Sequence, residues 1–227
     1  DYIGNIGYNK KEVAGRDFDF LAMNTQSNIL SYKEVRKAIA YTINKENIVG
    51  TQFNGKYKVT NYPLDYGSYL RGEDQGNICN PDRARQALEE NGWNYKKNKW
   101  KKTENYNTKV INLKLVVQAS NSTRLNIAEM IKSNLEEVGM KVSIVKASDS
   151  QYQYYLQNKN YDMIITGITQ SASPSLETFF GTDNLANYNN DEISTLMNEI
   201  KNITKEDLLK EKYAKIRQIY NDDVPYI

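Results

Sequence analysis

The stretch between residues 110 and 145 limits the possible folds more than any other part of this chain. A run of β-branched and apolar residues at 110–117 predicts a buried strand, and residues 141–145 predict a second one. Between them, apolar residues recur at helical spacing until Gly139 breaks the pattern. The residues in phase are Leu125, Ala128, Ile131, Leu135 and Val138. This succession predicts a βαβ unit, whose two strands pair in parallel through a right-handed crossover.

A second apolar run extends this unit into a layered sheet. Residues 161–168 are almost continuously apolar, which is typical of a central parallel strand covered on both faces. A short helix is predicted before it, around Tyr152, Tyr155 and Leu156, and a further strand is predicted at residues 18–23. Strands that alternate with helices in this way predict an α/β fold.

The other helices are predicted from capping residues followed by apolar residues at helical spacing. The helix that starts at Ser31 with Glu34 is expected to run to Gly50, the one at Asn80 with Pro81 to Gly92, and the one at Ser173 with Pro174 to Phe180. Two more helices are predicted to start at Asn189 with Glu192 and at Thr204 with Asp207.

Residues 51–109 interrupt the layered pattern. Gly, Asn, Tyr and Pro dominate residues 51–80, which predicts a long irregular connection at the surface. Trp93 and Trp100 flank Asn and Lys residues that predict a small hairpin. We therefore expect one domain over residues 1–227, with an irregular excursion at about 51–109.

Composition excludes several classes of function. The 227 residues contain no histidine, which rules out Ser-His and Cys-His nucleophile pairs and histidine-ligated metal sites. Carboxylate, Lys or Tyr chemistry would remain for an enzyme. The net charge is +2 with both signs interspersed, so no nucleic-acid partner is expected. No pattern predicts a metal or a cofactor, and the single Cys79 cannot form an internal disulfide.

Polar loops follow two of the predicted strands. Residues 118–123 come after the first strand of the βαβ unit, and residues 169–173 come after the apolar strand. Ligands of open α/β sheets bind beyond the carboxyl ends of parallel strands, so the two loops together predict a polar wall of a ligand site. The alternative is that Asn121, Ser122 and Ser173 only cap helices. The candidate ligand-binding residues are Gln118, Ser120, Asn121, Ile168, Thr169, Gln170, Ser171 and Ser173.

Several segments resemble, in order and at ordinary spacing, the motifs of the family 5 extracellular solute-binding proteins. Residues 20–25 (FLAMNT) and 35–49 (VRKAIAYTINKENIV) are similar to the family's "fNt" and "VRqAisyaidreeiv" patterns. Further similarities lie at residues 80–93, 126–142, 161–167 and 187–196. These matches cover nearly the whole chain.

The resemblance implies a periplasmic-binding-protein-like (type II) lobe, with a mixed, mostly parallel sheet flanked by helices. Family members have about twice this length and close two lobes on a ligand, and this chain resembles the C-terminal lobe. It implies capture of a peptide or other small molecule for an ABC transporter permease in the membrane, by a monomer. The alternatives are the sensor lobe of a ligand-responsive regulator, or an enzyme on the same scaffold. The two polar loops contain no titratable group, so no catalytic residue is expected.

The resemblance also implies a location outside the cell. Frequent Lys, Asn, Ile and Tyr favour a cell-surface lipoprotein of a low-GC Gram-positive bacterium, or a periplasmic protein if the source is Gram-negative.

The sequence departs from the family at residues 167–174. Peptide-binding members carry "GW.aDY..P" here, and their Asp pairs with the free α-amino group of the peptide. This chain has Ile168 at the Trp position and Ser171 near the Asp position. A buried ammonium without a carboxylate is costly, so this loop is not expected to bind a free peptide N-terminus.

Overall fold

The computed structural model describes residues 15–65, 67–73, 76–171 and 175–227. The strands are β1 (Asp17–Met23), β2 (Asn94–Lys96), β3 (Lys99–Glu104), β4 (Asn107–Val110), β5 (Asn112–Gln118), β6 (Lys141–Ala147) and β7 (Met163–Thr169). The helices are α1 (Lys33–Thr42), α2 (Lys45–Phe53), α3 (Pro81–Glu90), α4 (Ser122–Glu137), α5 (Asp149–Asn158), α6 (Glu177–Phe180), α7 (Asp191–Ile200) and α8 (Glu206–Asp223). None of the helices in this described part is both long and apolar enough to cross a membrane.

The main sheet has the strand order β1-β7-β5-β6. β5 pairs in parallel with both β6 and β7, which confirms the predicted βαβ unit and the interior position of the apolar strand β7. β1 runs antiparallel to β7, with Asp17 opposite Thr169. The sheet is therefore mixed and mostly parallel, as predicted.

Residues 225–227 add a short extended segment on the other side of β1. The Leu21 and Ile227 amides and carbonyls bond reciprocally at 2.7 and 3.0 Å, and the Met23 amide donates to the Pro225 carbonyl at 3.0 Å. Over residues 21–23, β1 is thus paired along both edges.

Helices cover both faces of the main sheet. Alternate residues of β1 show the division: Leu21 and Met23 belong to a core shared with α1, α3 and α4, whereas Phe20 and Ala22 belong to a core shared with α5, α6, α7 and α8. Because both faces are covered, the interior strand β7 reads as a nearly continuous apolar run rather than as an alternating one.

The first predicted helix is wrong in two respects. Tyr32, without a side-chain cap, precedes α1, because the Glu34 carboxylate instead accepts from Trp93 Nε1 at 3.2 Å and Lys102 Nζ at 3.3 Å. The helix also does not continue to Gly50. It ends at Thr42, since Ile43 is extended, and Asn44 caps the separate helix α2.

The remaining predicted starts have mixed outcomes. Asn80 caps α3 by accepting from the Arg83 amide at 3.0 Å, as predicted. α7 is capped by Asn190, one residue later than predicted. The predicted Thr204 cap is wrong because Lys205 precedes α8 without a side-chain bond. Ser173 and Pro174 lie outside the described residues, and the helix predicted from them ends at Phe180 as expected.

Strands β2, β3 and β4 form a separate three-stranded antiparallel sheet, which we term the meander. Trp100 lies within the meander and Trp93 lies just before it. Both side chains are almost fully buried in the core on the α1 side. The predicted hairpin is therefore larger than expected and contributes to the core. From Asn54 to Asn80, the described residues are irregular, as predicted.

We expect that replacing Tyr106 by glycine raises the free energy of unfolding by about 0.5–1 kcal/mol, since left-handed backbone costs a non-glycine residue roughly 1–2 kcal/mol and the extra backbone entropy of glycine offsets about half of that. Asn105 and Tyr106 form the β3–β4 turn with φ of 47° and 65°, and the Tyr106 side chain is fully exposed. Urea denaturation measures the change. Tyr106→Ala is the control, because it removes the same ring and keeps the strained φ. Equal stability of the Gly and Ala variants would contradict the assignment of strain.

Candidate ligand-binding site

The polar loops meet at one border of the main sheet, which we term the strand-end edge. It comprises the carboxyl ends of β5 at Gln118 and β7 at Thr169, together with the start of β1 at Asp17. β5 and β7 run in parallel and therefore end on the same side, whereas the antiparallel β1 begins there. The two predicted loops thus lie on the same edge of the sheet.

The loop after β5 is tied to the first turn of α5. Asp149 Oδ1 accepts from Gln118 Nε2 at 2.9 Å and from Ser120 Oγ at 2.7 Å. These two bonds hold the pKa of the Asp149 carboxyl below its usual value. Asn121 caps α4 by accepting from the Arg124 amide at 2.9 Å. The capping interpretation of Asn121 is therefore confirmed, while Ser120 is exposed and Gln118 is half-buried.

The loop after β7 is tied to the start of β1. Thr169 Oγ1 donates to Asp17 Oδ1 at 2.7 Å, and the Gln170 amide donates to the Arg16 carbonyl at 2.8 Å. Ile168 is half-buried against the core on the α5 side, and Ser171 is exposed. Ser173 lies outside the described residues. Thr169, Gln170 and Ser171 therefore stand at the edge, whereas Ile168 contributes mainly to packing.

An ion pair that sequence reasoning missed crosses β7 at this edge. Arg124 donates to Asp19 Oδ1 through Nε at 3.0 Å and Nη2 at 2.6 Å. The pair lies directly over Gly167, where a Cβ atom would come within 2.3 Å of both Arg124 Nη2 and Asp19 Oδ1. The lack of a side chain at position 167 thus leaves the space in which α4 is joined to β1.

The strand-end edge therefore carries charge, although the two predicted loops contain none. Asp17, Asp19, Arg124 and Asp149 all lie there, brought by β1, α4 and α5. The available signal was the Asp–Phe–Asp alternation at the start of β1, which places both carboxylates on one face of the strand. Within the described residues, no group of three or more acidic or Cys side chains is placed to hold a metal ion.

Two hollows adjoin the start of β1. The larger, about 280 Å³, is lined by Arg16, Asp17, Lys58, Asp65 and Gln170, among others, and we term it the edge cavity. The smaller, about 130 Å³, lies between β1, α2 and α4 and is mostly apolar, with Ile48, Phe53, Ile127 and Ile131 in its wall. A polar and an apolar hollow side by side suit a ligand that has both kinds of group.

Comparison with known proteins gives one family. Residues 2–190 match the family described as bacterial extracellular solute-binding proteins, family 5 Middle. Heme-binding protein A of Haemophilus influenzae is 24% identical over 227 residues, which is 95% of this chain and 39% of that protein. Oligopeptide-binding protein AppA of Bacillus subtilis is 25% identical over 219 residues, or 91% of this chain and 40% of AppA. The chain thus spans about 40% of the length of these relatives.

Solved structures share the fold. AppA of Bacillus subtilis in complex with a nonapeptide superimposes with a TM-score of 0.84 at 22% identity, covering 93% of this chain and 44% of AppA. NikZ of Campylobacter jejuni in complex with Ni(L-His) also gives 0.84, at 18% identity, covering 94% of this chain and 44% of NikZ. These structures confirm the predicted type II periplasmic-binding-protein-like fold.

Proposed function

The chain belongs to the bacterial extracellular solute-binding proteins of family 5, and we propose that it captures peptides or related small solutes outside the cell for an ABC importer. The match to this family over residues 2–190 carries the proposal. Its partners are the solute and the transporter permease in the membrane. The strand-end edge, with its polar side chains and adjoining hollows, supports a site for a small solute.

We further propose that residues 1–227 act as one ligand-binding lobe. The support is that a single mixed sheet joins the two cores, and that residues 225–227 pair with β1, the first strand. The meander belongs to the same body through Trp93 and Trp100. In this proposal the lobe is monomeric and supplies one wall of the binding cleft, through Gln118, Ser120, Thr169, Gln170 and Ser171.

Peptides are the favoured solute because AppA is an oligopeptide-binding protein and its solved complex contains a nonapeptide. Other relatives are named for different ligands, heme and Ni(L-His), so the fold alone does not select the solute. The sensor-lobe alternative is not favoured, since these relatives are named as binding proteins. A role at the cell surface as a lipoprotein of a Gram-positive bacterium also belongs to this proposal.

The family is one of solute-binding proteins, and we propose that this chain has no catalytic residue. The charged groups at the strand-end edge support this, because Asp19 is paired with Arg124 and Asp149 accepts two hydrogen bonds. A base that is engaged in this way has little basicity left for abstracting a proton from a solute.

We expect short peptides to bind this chain with a Kd weaker than about 1 µM, or about −8 kcal/mol. One wall of a cleft leaves much of a ligand in contact with water, and only the surplus over the cost of association appears as affinity. NMR titration of ¹⁵N-labelled protein with peptides of two to nine residues, heme and Ni(L-His) measures binding and locates it.

Thr169→Ala should weaken peptide binding, while Thr103→Ala, an exposed threonine of the meander, should not. Two results would contradict the proposal. Binding of heme or Ni(L-His) without any response to peptides would exclude the peptide class. Peptide binding tighter than 1 µM would show that this chain holds a complete site.

A further inference from the structure

We propose that one face of the meander binds the surface of an anionic membrane, a role beyond the proposed function. This face, which we term the outer face, is the side of the small sheet turned away from the core in which Trp100 is buried. Residues that lie opposite each other on paired strands share a face, so the pairing register gives its members. They are Asn94, Lys96, Lys99, Lys101, Thr103, Thr108 and Val110, and the exposed Lys97 of the β2–β3 turn adjoins them.

The first observation is that the charges of the meander are divided between its two faces. Residues 94–110 contain six lysines and one acidic residue, Glu104. The Glu104 carboxylate lies on the inner face, where it pairs with Lys102 at 2.9 Å. Lys109 also lies on that face and donates to Asn28. The outer face and its turn therefore hold four lysines and no carboxylate.

The second observation is that the four outer lysines have no counter-ion within the described residues. Lys96, Lys97, Lys99 and Lys101 form no ion pair there, in contrast to Lys102 of the inner face. Lys96 and Lys99 are moreover direct cross-strand partners, and like charges opposite each other destabilise a sheet. An anionic surface that covers the outer face would relieve this repulsion.

The chemistry of the outer face favours a charged surface over a protein partner. Its cations are all lysines, which act as point charges and lack the bidentate geometry of arginine. None of its residues is aromatic, whereas protein–protein interfaces are rich in aromatic residues and Arg and poor in Lys. Neither hollow described above borders it. A cationic face without a pocket suits the phosphate headgroups of anionic lipids.

The position of the meander separates the outer face from the solute site. Trp100 donates to the Val138 carbonyl just after the end of α4, whereas Asn121, which caps the start of α4, lies at the strand-end edge. The helix has 16 residues, so its two ends lie about 24 Å apart. Membrane binding and solute binding can therefore be altered separately.

The test is co-sedimentation of this chain with vesicles that contain equal parts of phosphatidylglycerol and phosphatidylcholine. We expect binding at about 0.01 M salt, where the Debye length is about 30 Å, and release at about 1 M salt, where it is about 3 Å. Vesicles of phosphatidylcholine alone should not bind. Each lysine near an anionic surface contributes about fivefold to partition, so Lys96→Gln, Lys99→Gln and Lys101→Gln together should weaken binding about 100-fold.

The matched control is the triple variant Lys201→Gln, Lys205→Gln and Lys215→Gln, which removes three exposed charges at α7 and α8 and should bind nearly as the unmodified chain does. Circular dichroism and urea denaturation establish that both variants are folded. No binding by the unmodified chain, equal binding to neutral vesicles, or equal weakening by both variants would each overturn the proposal.

Inorganic polyphosphate distinguishes a soluble polyanion from a membrane. Tighter binding of polyphosphate than of vesicles, compared per phosphate, would assign the outer face to a soluble partner and overturn the membrane proposal. The peptide titration described above should be the same for the outer-face variant and the unmodified chain. Failure of vesicle binding would therefore leave the proposed function standing, and failure of peptide binding would leave the membrane surface standing.

Discussion

Replacing Trp100 by alanine is expected to lower the free energy of unfolding by about 3–5 kcal/mol, the usual cost of removing a buried indole. The side chain is 1% exposed and belongs to the core shared by α1, α3 and α4. Its Nε1 donates to the Val138 carbonyl at 2.7 Å, just after the end of α4. Since domains are stable by only about 5–15 kcal/mol, this loss is a large fraction of the total.

Urea denaturation followed by circular dichroism measures this effect without depending on the removed fluorophore. Trp100→Phe separates the two contributions, because it keeps an aromatic ring and leaves the Val138 carbonyl unpaired, at a cost of about 1–3 kcal/mol. Lys99→Ala, at an exposed neighbouring position, should change stability by less than about 0.5 kcal/mol. A loss below about 1 kcal/mol for Trp100→Ala would mean that the meander is an appendage rather than part of the core.

The burial of the meander was hard to predict because its strand pattern is broken. Trp100 lies between Lys99 and Lys101, which suggests alternation, but the next inward position is the cationic Lys102. That lysine is accommodated by Glu34 at 3.3 Å and Glu104 at 2.9 Å. Glu34 lies some 70 residues away on α1, so the partner that makes Lys102 compatible with the inner face could not be read locally.

The same contact explains why the predicted capping box failed. Ser31 and Glu34 have the right spacing, and local propensity alone would have the Glu34 carboxylate fold back on its own helix. Trp93 and Lys102 offer it stronger partners in a less exposed setting, and the tertiary contact prevails. By contrast, the βαβ unit was predictable because its strands, helix and breaking glycine follow one another directly along the chain.

The candidate site was only half predictable for a related reason. The carboxyl ends of β5 and β7 follow from the parallel topology, so the loops at residues 118–123 and 169–173 could be placed on one edge. Sequence alone gives no pairing partner for an antiparallel strand. The pairing of β1 with β7, which places Asp17 beside Thr169, could therefore not be predicted. An edge expected to be neutral carries a carboxylate 2.7 Å from a predicted ligand-binding hydroxyl. Titration with free and N-acetylated versions of one peptide tests the prediction that the loop after β7 does not bind a free α-amino group, and similar affinities for the two are expected.

Raising the pH above about 10 is expected to unfold the protein cooperatively, because several tyrosines are buried as neutral phenols, four of them with strongly raised pKa values. Burial is the main cause that raises the pKa of each of Tyr62, Tyr161, Tyr188 and Tyr226. Three of these hydroxyls also donate to buried or half-buried acceptors: Tyr161 to the Leu185 carbonyl, Tyr188 to Asp223 Oδ2, and Tyr226 to the Phe179 carbonyl. A phenolate could not make these bonds.

The sign follows from comparing the two states. In the unfolded chain a tyrosine ionises near pH 10, whereas in the folded protein these four keep their protons to higher pH. Their contribution to stability is therefore fully present below pH 10 and is lost as the pH rises towards the folded pKa values. Each retained proton costs about 1.4 kcal/mol per pH unit above 10, so four amount to about 5–6 kcal/mol by pH 11. That loss is similar to the whole stability of many domains.

Phenolate absorbance and circular dichroism, recorded together across the titration, distinguish buried from exposed tyrosines. We expect the buried tyrosines to ionise only as the ellipticity is lost. Tyr161→Phe removes one coupled proton, so the pH dependence of the unfolding free energy should become less steep by about 1.4 kcal/mol per pH unit. Tyr106→Phe, which removes a fully exposed hydroxyl, is the matched control. Ionisation of all tyrosines in one step near pH 10 with a native spectrum would show that water reaches these phenols, and hence that the core around Tyr226 and α8 is looser than the packing described above.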